Sequence, residues 1–450
     1  MKAQKPELIT PVSPTLLMGM LWTFVFLVYF LGPINLEPKV SLLGFTFLIA
    51  HLLVFSIGAT FFARITPFKM STISYPTDTN RTTNVTCLLM LIGLVGCLMS
   101  VYGKLSSLDT ISFSTLSSLR TMHAQALLGG QEIKSSFLRA VAFLSYPAGY
   151  VAISSALISF EKLTRPIKLL FFFLIFSTAL VAICSGGRSQ LLVLFLFIFI
   201  SCYVRGQMGK TVIPRSPALR ICILALIAGA LLYSSIIWIT RTQEAHMNTD
   251  TMLQHAASVW GAKPKPYLLS ISERLHDKKL TQTVLSSTFY FIQSLSTTEK
   301  LLNAINDVPT LMGGYHTDLI AAGLRALPGG QDFLRQGYAT LLSANIYGFF
   351  TGAWTALFVD FWAFSLFFAL IWGTFTGKAW LCFSHQPTLI NGLRYIFWSY
   401  SILISFISPP FGFSNSFLTF VWFVIFSGLS QISFKYTPVN NPKTNELNHI

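Results

Sequence analysis

Ten stretches of this chain are apolar for long enough to cross a bilayer, and that length is what most constrains the fold. A helix rising about 1.5 Å per residue needs about 20 mostly apolar residues to span the hydrocarbon. Such windows fall roughly at 15–34, 40–62, 85–103, 137–160, 167–184, 189–204, 218–240, 353–376, 390–409 and 415–433. Their unbroken apolar character excludes a β-barrel, whose strands would alternate apolar and polar residues. Only 10% of the 450 residues are charged and mean hydropathy is +0.62, which no soluble domain of this length tolerates. The predicted fold class is an all-α polytopic integral membrane protein with about ten transmembrane helices.

The formal charge of +15 then sets the orientation. With the N-terminus in the cytoplasm, Arg64, Lys69, Arg81, Lys162, Arg165, Lys168, Arg205, Lys210 and Lys378 fall in cytoplasmic segments, as the positive-inside rule asks. The basic excess is therefore an orientation signal, and no nucleic-acid partner is implied. The first window follows Lys2 and Lys5, and Gly-Pro-Ile-Asn-Leu-Glu-Pro comes after it. It reads as a retained span with no signal peptide removed.

One long interruption, 241–350, divides the chain into a membrane bundle at 1–240, this extracytoplasmic segment, a second bundle at 351–434 and a cytoplasmic tail at 435–450. The segment carries nine Lys or Arg against eight Asp or Glu, so it is nearly neutral. From Glu244 to Asp307 it reads as short soluble helices, with an apolar run at Val284–Leu295 too short to span. Beyond Pro309 and Gly313-Gly314, one helix is expected from Tyr315 to Leu327, ended by Pro328-Gly-Gly. Tyr338–Phe350 reads as an interfacial or re-entrant piece, with a span following it. Non-helical backbone at that depth needs protein or a water-filled cavity around it.

Candidate chemistry gathers at the same face. The hairpin Cys184-Ser-Gly-Gly-Arg-Ser189 opens a helix, so Gly186, Gly187 and Arg188 combine close backbone approach, free N–H groups and a guanidinium fork in one anion site. Arg241 stands at a helix C-terminus, where a cation is also stabilising. His316, Asp318, Arg325 and Arg335 lie in the second half of the long segment, Tyr347 in its last turn, and Asp360 in the span beyond. His51 lies inside a span, as a functional group or as one interhelical hydrogen bond. Arg120 and His123 share a face of the 104–136 loop. The six cysteines form no CxxC spacing, and the chain lacks Walker A, GxGxxG, HExxH and GxSxG runs.

Taken together, these spans, the late outer segment, Ser-Gly-Gly-Arg-Ser at an outer hairpin, Asn345-Ile-Tyr followed by Phe349, and Val359-Asp-Phe resemble the Wzy-type O-antigen polymerases. The chain departs from their pattern at Trp362, where Gly often follows, and at Gly337, twelve residues after Arg325 rather than eleven. The resemblance implies a GT-C-like glycosyltransferase of the bacterial inner membrane. It would transfer a growing glycan from undecaprenyl pyrophosphate to the non-reducing end of another lipid-linked repeat unit, without metal or cofactor. It further implies that Arg188 and Arg241 clamp the pyrophosphate, that Arg325 or Arg335 meets the second substrate, and that His316, Asp318 or Asp360 serves as base. Its partners would be undecaprenyl-pyrophosphate-linked oligosaccharides and membrane lipids, with room for a chain-length regulator and a flippase. O-antigen ligase and lipid-linked oligosaccharide flippase are the alternatives.

Overall fold

The computed structural model describes residues 10–65, 79–106, 137–185, 189–244, 249–346, 351–412 and 414–431. Its helices are α1 (Pro14–Leu31), α2 (Leu42–Ile57, prolonged through a π-turn to Ile65), α3 (Thr79–Leu105), α4 (Phe137–Ser145) and α5 (Ala148–Ile158). Then come α6 (Arg165–Cys184), α7 (Ser189–Gln207), α8 (Pro217–Glu244), α9 (Thr249–His255), α10 (Pro266–Arg274) and α11 (Lys278–Asn303). The chain closes with α12 (Asp318–Arg325), α13 (Gly330–Ser343), α14 (Gly352–Phe361), α15 (Ser365–His385), α16 (Leu389–Leu403) and α17 (Ser414–Gln431). Among the described residues, seven helical stretches are long and apolar enough to cross a membrane, so the protein is an all-α membrane protein. The face at which α1 begins is called proximal below, and the face at which it ends, distal.

The starts of these helices are written in the local sequence. Ser13 caps α1 ahead of Pro14, Ser41 caps α2 and Thr388 caps α16, each side chain accepting a backbone N–H that has no partner within the helix. Between spans, lipid is as apolar as leucine, so close packing rather than water exclusion holds the helices together. Small residues make that packing possible where α2 meets α15. A Cβ on Gly373 would lie 2.0 Å from the Phe55 carbonyl oxygen, and one on Gly377 would lie 2.1 Å from that of Ala59.

The stretch 352–385 is not one span. Trp354 packs on Trp372 with ring centroids 5.1 Å apart, and Phe361 stacks on Phe368 at 4.0 Å. These pairings require α14 and α15 to run antiparallel, with the reversal at Trp362, whose φ is 51°. Trp354 contacts Phe55, while Phe358 contacts Phe47 nearer the distal end of α2. Phe55 lies thirteen residues along α2 from Leu42, about 20 Å at the helical rise, so α14 begins deep and climbs outward. The re-entrant element is thus α14, and the piece at Tyr338–Phe350 expected to be interfacial or re-entrant contains the end of the amphipathic helix α13. The span expected to start at 353 starts at Ser365. Residues 347–350, which include Tyr347, lie outside the described residues.

A second half-depth element meets it. α16 is only fifteen residues long and stops beside Trp22, whose Nε1 donates to Ser405 Oγ at 3.0 Å. The non-helical stretch 404–412 follows, buried through Pro410, and α17 turns back along α16, with Tyr400 bonded to Ser416 at 2.7 Å. The first amides of α14 donate into this stretch: Gly352 N to the Ile407 carbonyl at 3.2 Å and Ala353 N to that of Ser405 at 2.7 Å. Irregular backbone inside a membrane is tolerable because protein surrounds it and answers its polar groups.

The front of the long segment differs from expectation in part. Beside the short helices α9 and α10 it holds the 26-residue α11, capped by Asp277 and buried along Leu285, Phe289, Ile292 and Leu295. Its polar side faces α14, with Thr298 and Thr355 hydroxyls 2.7 Å apart. Glu299 accepts from both the amide and the hydroxyl of Ser41, 2.8 Å each, tying α11 to the start of α2. Ile34–Leu36 (β1) and Ala262–Pro264 (β2) pair antiparallel, Asn35 opposite Lys263, a small sheet with no period-2 signal long enough to announce it. At the proximal face α3 begins at Thr79, six residues ahead of the apolar window at 85–103.

Candidate active site

The site is assembled around Asp360, at the outer end of α14 and fully buried. A lone carboxylate there must find hydrogen-bond donors, and the loop ahead of α12 supplies them. Asp360 Oδ1 accepts from Gly313 N at 2.9 Å and Tyr315 N at 2.8 Å, and Oδ2 accepts from His316 N at 3.2 Å and from His316 Nδ1. In addition, Leu311 N and Met312 N bond the carbonyls of Val359 and Asp360, so five amides of one loop converge on one helix end.

Loop sequence explains this shape. Met312 and Gly313 both have positive φ, 53° and 90°, which turns their N–H groups to the same side. Its φ is what calls for glycine at 313; a Cβ there would meet only the tip of the Ile320 side chain, Cδ1 at 2.9 Å. Gly314 is held from above by Tyr338, whose hydroxyl donates to its carbonyl at 2.7 Å. Thr317, the cap of α12, donates to the Phe411 carbonyl at 3.3 Å and joins the loop to the half-depth hairpin.

Three amide donors and one ring nitrogen occupy the roughly four lone-pair positions of the carboxylate. The ring nitrogen facing the carboxylate is therefore the N–H form of Nδ1, and in a neutral imidazole this tautomer carries its lone pair on Nε2. Among the described residues nothing bonds Nε2. The His316 side chain is 8% exposed, so the ring is held on one edge and largely covered. A carboxylate that orients an imidazole in this tautomer is the arrangement of a general base.

Sequence expectations divide at this point. His316 and Asp360, 44 positions apart, are brought together. His316 lies in the turn before α12, which starts at Asp318 and not at Tyr315 as expected. Asp318 is the first residue of α12, and its side chain is outside the described residues. Arg325 ends α12 and Arg335 lies on α13, both exposed. Arg241 lies in the last turns of α8 with its side chain outside the described residues, as are Gly186, Gly187 and Arg188 altogether. The 104–136 loop with Arg120 and His123 is outside them from residue 107 onward. His51 takes the plainer role, bonding the Phe47 carbonyl at 2.8 Å and Ser365 Oγ at 2.9 Å between α2 and α15.

Reasoning from sequence missed Gly313, Tyr315 and Tyr338 as the frame of the dyad. The one available signal was the adjacent Gly313-Gly314 pair ahead of a histidine.

Around the dyad the surface is apolar. Met312, Leu319, Ile320, Trp362 and Phe364 are exposed, and aromatic residues at such a turn fit the boundary between hydrocarbon and headgroups. Comparison with known proteins finds no matching family model, no similar curated protein and no similar solved structure.

Proposed function

We propose that the protein is a glycosyltransferase that joins undecaprenyl-pyrophosphate-linked oligosaccharide units at the distal, periplasmic face, with His316 as general base. The observation that carries this reading is the Asp360–His316 pair at the outer end of a re-entrant helix, beside an apolar boundary surface. Both substrates would be lipid-anchored, so their reacting ends stay near that boundary.

In the reaction, an acceptor hydroxyl attacks the anomeric carbon of the donor glycan. Its proton passes to His316 Nε2 while the bond to the pyrophosphate oxygen breaks and the carrier leaves with the electron pair. A single direct displacement inverts the anomeric configuration. Asp360 keeps the ring oriented and stabilises the imidazolium as it forms. Negative charge developing on the leaving group calls for cations, for which Arg325, Arg335, Arg188 and Arg241 are proposed.

The test is the polysaccharide ladder of a strain lacking this chain, complemented with His316→Gln. A single-repeat band is expected, and a wild-type ladder would overturn the role of His316. Free, unattached polymer in the deletion strain would instead indicate a ligase with lipid A core as acceptor.

A transporter reading draws on the two half-depth elements, since broken helices at mid-membrane are common in transporters. Against it, the first amides of α14 are bonded by protein carbonyls. Liposomes decide the matter: polymer formed from lipid-linked units supplied only to the protein's outer face requires no transport.

A further inference from the structure

On the proximal face, remote from His316, a cavity of about 210 Å³ opens where α3, α5, α7 and α16 end or begin. Thr82 and Thr86, both buried, line its inner wall, the Thr86 hydroxyl bonded to the Thr82 carbonyl and to Ser155 Oγ at 2.7 Å each, and its rim carries Ser159, Lys162 and Thr388. Lys210 lines it half-buried, with Nζ donating to the Ile158 carbonyl at 2.6 Å. An ammonium has three N–H donors, so this bond leaves capacity for a ligand.

The charge around the cavity is one-sided. Arg205 is 1% exposed beneath it, donating to the Leu157, Ile158 and Thr211 carbonyls and paired with Glu161. Three cations, Arg205, Lys162 and Lys210, thus stand with one acid, Glu161, among the described residues. Burial, then the like charges of Arg205 and Lys162, hold the Lys210 ammonium below its ordinary range despite Glu161. α3 and α16 both start at this cavity, and neither has an acid in its first turn. Their positive dipole ends add to the same field.

We infer that this cavity binds a phosphate group, supplied by an anionic lipid headgroup of the proximal leaflet or by free phosphate. Hydroxyls, ammonium groups and helix ends together are phosphate-binding chemistry, and the volume is below the roughly 300–1,000 Å³ of sites for larger ligands. A nucleotide is therefore too large. The site is independent of the glycosyltransferase reading.

The test uses the full-length protein in nanodiscs. In purely phosphatidylcholine discs, inorganic phosphate should raise the thermal midpoint more than chloride at equal ionic strength. Native mass spectrometry should show retained phosphatidylglycerol when that lipid is supplied. Lys162→Gln with Lys210→Gln should lose the phosphate effect and most of the lipid retention, at least about tenfold, while the Arg pair at both positions retains them. Retention of phosphatidylglycerol that blocks the phosphate response assigns a headgroup; a phosphate response unaffected by that lipid assigns free phosphate. Equal responses in wild type and the Gln pair, or no response to either probe in wild type, overturn the proposal. Lys162→Gln alone keeps the Lys210–Ile158 bond, so a folding defect in the pair does not obscure the result.

Discussion

Tyr315 presents its amide to Asp360 Oδ1 at 2.8 Å, and this contact belongs to the loop's frame rather than to its chemistry. The distinction separates two substitutions. His316→Gln leaves the backbone amides bonded and should cost at least about a hundredfold in polymer formation, within the usual range for loss of a general base. Asp360→Ala leaves three buried amides unanswered and should also destabilise the protein by about 2 kcal/mol or more. Ladder length and resistance to unfolding in SDS, measured on both variants, check the separation.

Two glycines ten residues apart should answer in opposite ways. Gly313→Ala places a Cβ at φ 90° against Ile320 and should lose both stability and activity. Gly323, on exposed α12, has nothing within 4 Å of where a Cβ would stand, and Gly323→Ala should stabilise that helix by up to about 1 kcal/mol. Thermal midpoints of the two purified variants test this.

The reversal at Trp362 can be trapped chemically. With Phe361→Cys and Phe368→Cys, mild oxidation should give an intramolecular disulfide, found as a linked peptide by mass spectrometry. In a continuous helix these positions would be about 10 Å apart along the axis, beyond disulfide reach. Absence of the linked peptide in folded protein would count against the hairpin.

Acid should loosen the proximal face. Burial alone would raise the Glu161 carboxyl, but the hydrogen bond and charge of Arg205, with Lys210, hold it below its ordinary value of 4.5. A depressed folded-state pKa stabilises above the unfolded value and is lost as pH falls through the folded one. The wild-type thermal midpoint should therefore drop more than that of Glu161→Gln as pH is lowered below about 4.5. The difference should be small, because the Glu161 side chain is 54% exposed and screened. Arg205→Leu should be far worse at pH 7, since it removes the donors to the Leu157, Ile158 and Thr211 carbonyls.

The membrane class and the apolar helices of the first half of the chain were legible because hydrocarbon thickness imposes a length that shows in single stretches. His316 and Asp360 were legible only as separate residues, one in the outer segment and one in a costly place inside a span. Their pairing depends on the reversal at Trp362, and nothing local marks that reversal: apolar character runs unbroken through Phe361, Trp362, Ala363 and Phe364. The length of α11 is hidden for a related reason. Its Ser and Thr residues lower the hydropathy, yet they face protein across α14, where hydroxyls pair with each other instead of with water.

The β1–β2 pairing has a consequence for biosynthesis. Ile34 and its partner Pro264 are about 230 residues apart, so closing that contact is a long-range step. On a ribosome, the link between the first two helices is made and inserted long before the strand that latches it exists. Until residue 264 emerges, those helices can shift against each other, and Glu299 has yet to reach Ser41. The early membrane bundle is thus a provisional assembly whose final registration arrives with the late half of the chain, and a truncation before that point should insert without locking.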